Sequence, residues 1–386
     1  MRTAEEILKI AEEGAEKYFS TQMGLLEKFS SIDCGSKNEA GNKMVVKIVE
    51  TLLEPMGVKL EYLKAPGLGT HIIGRLTPEK STGKILLMAH LDTVFGEGET
   101  KKHPFRIDGE WAYGLGIADC KGGLLTAIYS VKIMQEAGML PDKELIFLLN
   151  CDEELGSPSS QELFKEVMTG AEYAFVFEPT REQNGIYTSR GGVAEGTIDI
   201  TGKAAHAQIK YYEGSSAVVE LSNLILKLVG KNDKEKTLLY NVAPISGGVR
   251  PGVIADEAHA DYCATFTSAE ALEQAKKDVA NLENEGIVDG CQIKTTFHVL
   301  FPPMERTEGN QKTYQLVKSA GEIMGIDLPE GATPGSGDSC FSSYLGVPSV
   351  DCLGPYMQDT HSINERMLIS SLKERTTLFS IVLATL

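Results

Sequence analysis

Positive charge is in short supply in this chain: 37 Lys and Arg face 54 Asp and Glu, a formal net charge of −17 over 386 residues. Such a surface repels phosphate backbones and anionic headgroups, so neither nucleic acid nor a membrane is expected as a partner. Long apolar runs are absent as well. No stretch approaches the roughly 18 residues of a membrane span, and the C-terminal "TTLFSIVLATL", Thr376 to Leu386, reads as the buried end of a helix. Paired cysteines are missing: the 7 cysteines are odd in number and show no paired spacing. That excludes a disulfide framework and predicts reduced thiols in a cytoplasmic protein. The opening "MRTAEEILKIAEEGAEKYFS" is a charged amphipathic helix rather than an apolar h-region, so no signal peptide is expected. H-E-x-x-H, G-x-S-x-G and G-x-x-x-x-G-K-[ST] are all absent, which leaves a single-helix zinc site, a nucleophile elbow and a P-loop without support.

What is present is ordinary in bulk and organised in detail. Hydrophobic residues make up 42% and charged residues 24%, a composition typical of a globular protein, and the length suits two domains. In the first half, helical patterns alternate with short apolar strands: "EYL", "HIIGRL", "KILLMAH", "ELIFLLN" and "YAFVF". The helix "GGLLTAIYSVKIMQEAG" ends at Gly138, a C-terminal stop. This alternation predicts a largely parallel or mixed sheet covered by helices on both faces. From about Gly192 the order becomes strand, helix, strand, strand, helix, strand, the last strand being "CQIKTTFHVLF". That is the ferredoxin-like order. After Pro302-Pro303 the helix and strand alternation resumes with "QKTYQLVKSAGEIMG". The expected architecture is an α/β domain with a mixed sheet, 1–188 and 303–386, interrupted by a smaller α+β insertion, 189–302.

In an open α/β sheet, ligands collect outside the carboxyl ends of the strands. The strand "LLMAHLD" ends in His90 and Asp92, two residues apart and therefore on one face. "YGLGIADCKGG" sets Asp119 in a glycine-rich turn before a helix. "IFLLNCDEELGS" runs into Asp152, Glu153 and Glu154, "YAFVFEPT" into Glu178, and "DTHSINE" carries His361 in a loop. A lone strand histidine is usually a hydrogen-bonded structural group, and a lone Asp before a helix is usually an N-cap. Five such residues at strand ends are harder to dismiss. Carboxylates crowded in one cleft repel one another and resist desolvation, so something positive is required. Two histidines with three or four carboxylates suit Zn²⁺, with Mn²⁺ or Co²⁺ as substitutes, and two ions bridged by a carboxylate would neutralise the cluster. His90 would bind metal and Asp92 would orient its ring. Cys120 and Cys151 lie beside these residues, where a small packed side chain would do as well.

These motifs, "MAHLDTV", "YGLGIADCKGG", "CDEELGS", "FEPT" and the histidine of "GPYMQDTHSINE", resemble the M20 family of zinc aminopeptidases, carboxypeptidases and deacylases. The glutamate carboxypeptidase branch is the most similar, and the likeness covers nearly the whole chain in order. The resemblance implies a zinc-peptidase-like catalytic domain with an inserted lid and dimerisation domain, and a homodimer. It implies that His90, Asp119 and Glu178 hold one zinc and that Asp119, Glu154 and His361 hold the other, with Asp119 bridging. Glu153 becomes the general base, and a cis peptide follows Asp119. His206, in "TGKAAHAQ", matches the family histidine that stabilises the oxyanion, usually from the partner subunit. Two positions depart from the pattern: Gly252 and Cys263 stand where the family has asparagine and arginine gripping a substrate carboxylate. Arg250 or Arg190 could substitute, or be solvated charges. Gly335 and Gly337, in "TPGSGDSC", could offer amides to substrate, or precede a helix capped by Ser336 or Asp338. The expected activity is hydrolysis of a small peptide, carboxypeptidase or dipeptidase in type, with N-acyl amino acid deacylation as the alternative. A dimeric metal-binding module without catalysis is a reading of another class, and the filled Glu153 and ligand positions argue against it.

Overall fold

The computed structural model describes residues 2–181, 184–235 and 237–386. Its chain divides into two compact units, one of Met1–Ser189, Arg306–Ala332 and Gly337–Leu386, the other of Arg190–Glu305 with Thr333–Ser336.

The larger unit is built on a six-stranded mixed sheet. Its spatial order is Lys59–Ala65, Gly69–Leu76, Glu144–Asn150, Lys84–His90, Tyr173–Val176 and Ser349–Val350. The last four run parallel to their neighbours, and the first two are antiparallel additions at one edge. Every residue of Ile85–His90 is buried, as expected of a parallel strand covered on both faces. Helices Ala4–Ser30, Glu39–Leu53, Gly123–Glu136, Glu308–Met324 and Ile369–Thr385 contribute to the same apolar core as these strands. The C-terminal helix is buried along most of its length, and among the described residues no helix is long and apolar enough to cross a membrane. Helix Gly123–Glu136 ends as its sequence predicts. Gly138 adopts φ +64°, and the N–H groups of Gly138 and Met139 return to Gln135 and Met134, a Schellman stop.

Strand order explains where a site can form. The chain leaves Lys84–His90 for Glu144–Asn150 on one side and then reaches Tyr173–Val176 on the other. The connections therefore diverge from the carboxyl end of Lys84–His90, the kind of switch point at which ligands bind in open sheets.

The smaller unit is an antiparallel sheet in the order Leu238–Gly247, Glu257–Phe266, Gly192–Thr201, Gln292–Thr295, with helices Ala217–Val229 and Ala269–Leu282. Its apolar cluster draws on both helices and the inward face of the sheet. Numbered along the chain, the strands lie 2-3-1-4, the ferredoxin-like arrangement. The single last strand expected from "CQIKTTFHVLF" is two, Gln292–Thr295 and His298–Phe301, both paired with Gly192–Thr201. Register is kept across the break, with Thr295 opposite Ile198 and His298 opposite Glu195. The break arises because the Thr296 hydroxyl accepts the Thr197 N–H at 2.9 Å, while the Thr296 carbonyl accepts the Tyr262 hydroxyl.

Candidate metal centre

Three neighbouring parallel strands deliver polar residues to one place. His90 is the last residue of Lys84–His90, Glu153 and Glu154 form a short turn after Glu144–Asn150, and Glu178 lies just past Tyr173–Val176. Asp119 comes from the turn Ile117–Gly122 that leads into helix Gly123–Glu136. Glycine is needed around it: Gly116 adopts φ +68°, and a Cβ at Gly123 would lie 1.7 Å from the Phe177 carbonyl oxygen. The Asp119–Cys120 peptide is cis. His361 sits in the loop before the strand Arg366–Leu368.

Asp119 is the hub. Its Oδ1 lies 3.0 Å from His90 Nε2, and its Oδ2 lies 3.3 Å from His361 Nε2. His90 Nε2 is also 3.7 Å from Glu178 Oε1, and His361 Nε2 is 3.3 Å from Glu154 Oε2. The structure thus brings all five expected ligands together, in two arms that share Asp119. On its other side, His90 Nδ1 faces the Asp92 carbonyl at 3.1 Å and the Asp92 carboxylate at 3.3 Å. That contact places the ring proton on Nδ1 and leaves the Nε2 lone pair toward Asp119 and Glu178. Asp92 also accepts the Ser36 hydroxyl at 2.7 Å and the N–H groups of Glu153 and Glu154, each at 3.3 Å. One carboxylate therefore orients both the histidine and the acidic turn.

The electrostatics show how strongly these histidines and carboxylates act on one another. Burial opposes charge on His90, but Glu178, Asp119 and Asp92 outweigh it and push its imidazole well above the usual value. Hydrogen bonds to Asp119 and Glu154 lift His361 to about 10. Burial raises the Asp119 carboxyl, yet the two histidines pull it below the ordinary range. Burial, then the charge of Glu178, drives Glu153 well up, and burial also raises Glu154. Carboxylates packed this closely, away from water, require positive charge beside them. Oxygen and imidazole donors at this spacing fit divalent ions such as Zn²⁺.

Cys120 is near enough to His90 and Glu178 to complete a further group of donors. Its thiol donates to the Phe177 carbonyl at 3.1 Å, and burial, then Glu178, raises its pKa well above normal. Cys120 is wholly buried with its thiol turned to the main chain, which fits the reading of a small packed side chain. Asp152 separates from its two acidic neighbours. It is fully buried and takes hydrogen bonds from the N–H and hydroxyl of Ser159 and the hydroxyl of Ser160.

Two buried ionisable side chains beside Asp119 were not singled out from the sequence. Lys121 is wholly buried and donates to the Leu91 and Asp92 carbonyls at 2.6 and 3.2 Å. Glu365, 1% exposed, accepts three main-chain N–H groups from Gly116, Ala118 and Asp119. Burial pushes its carboxyl up to about 8, with the Asp119 charge adding to the rise. Their spacing in sequence carries no signal, because both bind backbone and not other side chains. Next to Glu154, residues 35–39 and 93–97 with Leu155 line a pocket of ≈ 600 Å³.

The remaining residues named from sequence lie elsewhere. His206 is exposed in the smaller unit, where its Nδ1 accepts the N–H groups of Gln208 and Ile209 at 3.3 Å. Nδ1 is then unprotonated and Nε2 carries the proton. Arg250 is exposed. Arg190 is not a solvated charge: it is buried, and its guanidinium donates to the Ser336 carbonyl at 2.7 Å. Gly335 is exposed but its N–H is taken by Thr333 at 3.2 Å, and Gly337 is buried, so it is not turn-exposed as expected. Neither expected cap operates at helix Ser339–Tyr344. Asp338 holds the N-cap position but makes no side-chain cap hydrogen bond. It accepts the Ser157 hydroxyl at 2.6 Å instead, and Ser336 donates to the Gly191 carbonyl at 2.8 Å.

Known proteins resemble this chain in sequence and in fold. Residues 86–385 match peptidase family M20/M25/M40. Carboxypeptidase G2 of Pseudomonas sp. (strain RS-16) is 31% identical over 340 residues, spanning 85% of this chain and 80% of its own. Among solved structures, aminopeptidase PepT of Bacillus cereus superposes with a TM-score of 0.80 at 20% identity, covering 95% of this chain and 98% of its own. A dinuclear metal-binding peptidase of Bacillus subtilis, YXEP, gives 0.72 at 15% identity over 96% and 98%.

Proposed function

This chain belongs to peptidase family M20/M25/M40, and from that premise we propose that it is a dizinc hydrolase cleaving an amide bond of a small peptide, carboxypeptidase or dipeptidase in type. The observation that carries this reading is the convergence of two histidines and two further carboxylates around Asp119, with Glu153 in the same turn as Glu154. His90, Asp119 and Glu178 would hold one ion, and Asp119, Glu154 and His361 the other. Two zinc ions, or Mn²⁺ or Co²⁺ in their place, would supply Lewis acidity that acidifies water and polarises the scissile carbonyl.

The chain's own residues do the rest. Glu153 takes a proton from the attacking water and delivers it to the leaving amine, so the C–N bond breaks without expelling an anion. Asp92 holds His90 and the main chain of Glu153 and Glu154 in place. His206, with its proton on Nε2, donates to the oxyanion of the tetrahedral intermediate, and the donor is the partner subunit's His206. A homodimer through the smaller unit is part of this reading. Helix Ala217–Val229 exposes Val219 and Leu226, and the edge strand Leu238–Gly247 exposes Ile245. An unpaired apolar edge of this kind favours pairing with another copy. A cytoplasmic location belongs to the same reading, since the 7 cysteines show no paired spacing.

A second reading keeps the chemistry and changes the substrate to an N-acyl amino acid. Cys263 faces Glu195 and Asn241 across the sheet, so this face presents a carboxylate where the carboxypeptidase pattern has a cation. Rates on a dipeptide panel against an N-acyl amino acid panel separate the two. The mechanism itself is tested by Glu153→Gln, expected to lower kcat by about 10²–10⁴-fold with both metals still bound. Near-normal turnover would remove Glu153 as the base, and bound metal without hydrolysis in the parent protein would leave a binding module. Sedimentation of the same preparations should show dimers, and a monomer would end the shared role of His206.

A further inference from the structure

We propose that Glu365 is the positioning residue that couples the two metal-binding arms, by tying the segment that carries Asp119 to the loop that carries His361. The proposal rests on the dinuclear reading above. Glu365 Oε2 accepts Gly116 N–H at 3.0 Å, and Oε1 accepts the N–H groups of Ala118 and Asp119 at 3.0 and 3.2 Å. These amides have little prospect of a local partner. Gly116 is left-handed at φ +68°, and Asp119 departs from helical geometry at φ −102°, ψ 90°. Buried N–H groups converging in such a turn form a nest for an acceptor, and the two oxygens of one carboxyl group satisfy three of them at once.

The other end of the tether is equally short. Glu365 N–H returns to the Ser362 carbonyl at 3.0 Å, and its own carbonyl accepts Gly114 N–H at 3.3 Å. From the next residue the two segments pair as antiparallel strands, Arg366 with Tyr113, Met367 with Ala112 and Leu368 with Trp111. His361 stands four residues before Glu365, immediately ahead of the turn that the Ser362 bond closes. The Asp119 to His361 separation, 3.3 Å between Oδ2 and Nε2, is therefore governed by one side chain that touches neither group's ligand atoms. On the opposite flank Lys121 anchors the same turn to the Leu91 and Asp92 carbonyls. The lysine thus secures the His90 arm and the glutamate the His361 arm.

Titration of chelator-stripped protein with Co²⁺ alone, read by calorimetry and by the visible absorption of the bound ion, tests this. The parent chain should take up two ions; fewer would overturn the dinuclear reading, not the role of Glu365. In Glu365→Gln, one acceptor oxygen remains and an amide group faces the N–H of Gly116. The ion held by the His361 arm should then bind about 10–100-fold more weakly, the range for loss of a group that orients a ligand, with a changed Co²⁺ spectrum. Met367→Ala supplies the structural control: it empties a fully buried site in the adjoining strand. It should lower the melting temperature of the metal-free chain while leaving both Co²⁺ affinities and the spectrum intact. Two ions bound by Glu365→Gln with parental affinity would overturn the proposal, as would an equal loss in Met367→Ala. Should Glu365→Gln not fold, Glu365→Asp keeps the carboxyl group and shortens the reach, and the same outcomes decide.

Discussion

His90 in the larger unit and His259 in the smaller are each set among carboxylates, yet their surroundings differ. His90 is 1% exposed, with Asp92 on one ring nitrogen and Asp119 and Glu178 on the other. The His259 side chain is 40% exposed, with Asp199 at 2.7 Å from Nδ1 and Asp261 at 3.3 Å from Nε2. His90 ends a parallel strand buried on both faces, where polar side chains can emerge only at the end. His259 belongs to an antiparallel strand whose burial alternates residue by residue, so its neighbours on that face are polar and wet. Water screens the second cluster. The first has no such screen and needs an internal cation. Residue types alone do not distinguish the two clusters; burial and the direction of the ring nitrogens do.

The largest effect should come from removing each histidine. His90→Ala leaves Asp119 and Glu178 facing each other without their shared imidazole, and metal affinity should fall beyond the about 100-fold that loss of an orienting partner costs. His259→Ala should leave metal content and kcat/KM unchanged. Calorimetric metal titration of both variants checks the contrast, and equal losses would erase it.

A middle effect is expected one step out. Asp92→Asn weakens the hold on His90 Nδ1 and on the Glu153 and Glu154 amides, and should reduce metal affinity by about 10–100-fold. Asp199→Asn, the corresponding change beside His259, should have no effect on metal binding. If the two aspartates behave alike in metal titration, the orienting role of Asp92 is wrong.

The smallest effect is a pH dependence of stability. Asp199, first through its hydrogen bond, holds the His259 imidazole above its usual pKa. A raised folded value means that the stabilisation is whole below the unfolded value of about 6.5 and is lost as pH rises through the folded one. His259→Gln should therefore lower stability by about 0.2–1 kcal/mol near pH 6, the range for exposed pairs, and by nothing near pH 9. Urea unfolding at the two values measures it, and a larger loss at the alkaline end would reverse the sign.

The legibility of the site follows from the same difference. In "KILLMAH", "ELIFLLN" and "YAFVF" an apolar run stops at a polar residue, because a strand sealed on both faces can carry polarity only where it leaves the sheet. His90, Glu153, Glu154 and Glu178 were readable on that ground, and Asp119 and His361 as strand-end or loop positions. The separation of Asp152 from Glu153 and Glu154 was not readable, since which way each side chain turns depends on Ser159 and Ser160 folding back over it. The break at Thr296 was hidden for a similar reason, as a hydroxyl and a carbonyl exchanged partners within an unbroken register.

By itself the sequence determined the order of elements, the mixed sheet with its ferredoxin-like companion, and the identities of the polar residues that end the parallel strands. Those follow from periodicity and from the energetic penalty of placing polar groups inside a covered sheet. Only the tertiary structure decided that Asp119 touches both histidines, that the Cys120 thiol turns to the Phe177 carbonyl, and that Lys121 and Glu365 secure the turn from opposite sides. Those outcomes depend on contacts between segments as distant in sequence as Gly116 and Glu365, and on burial that strengthens each contact by excluding water.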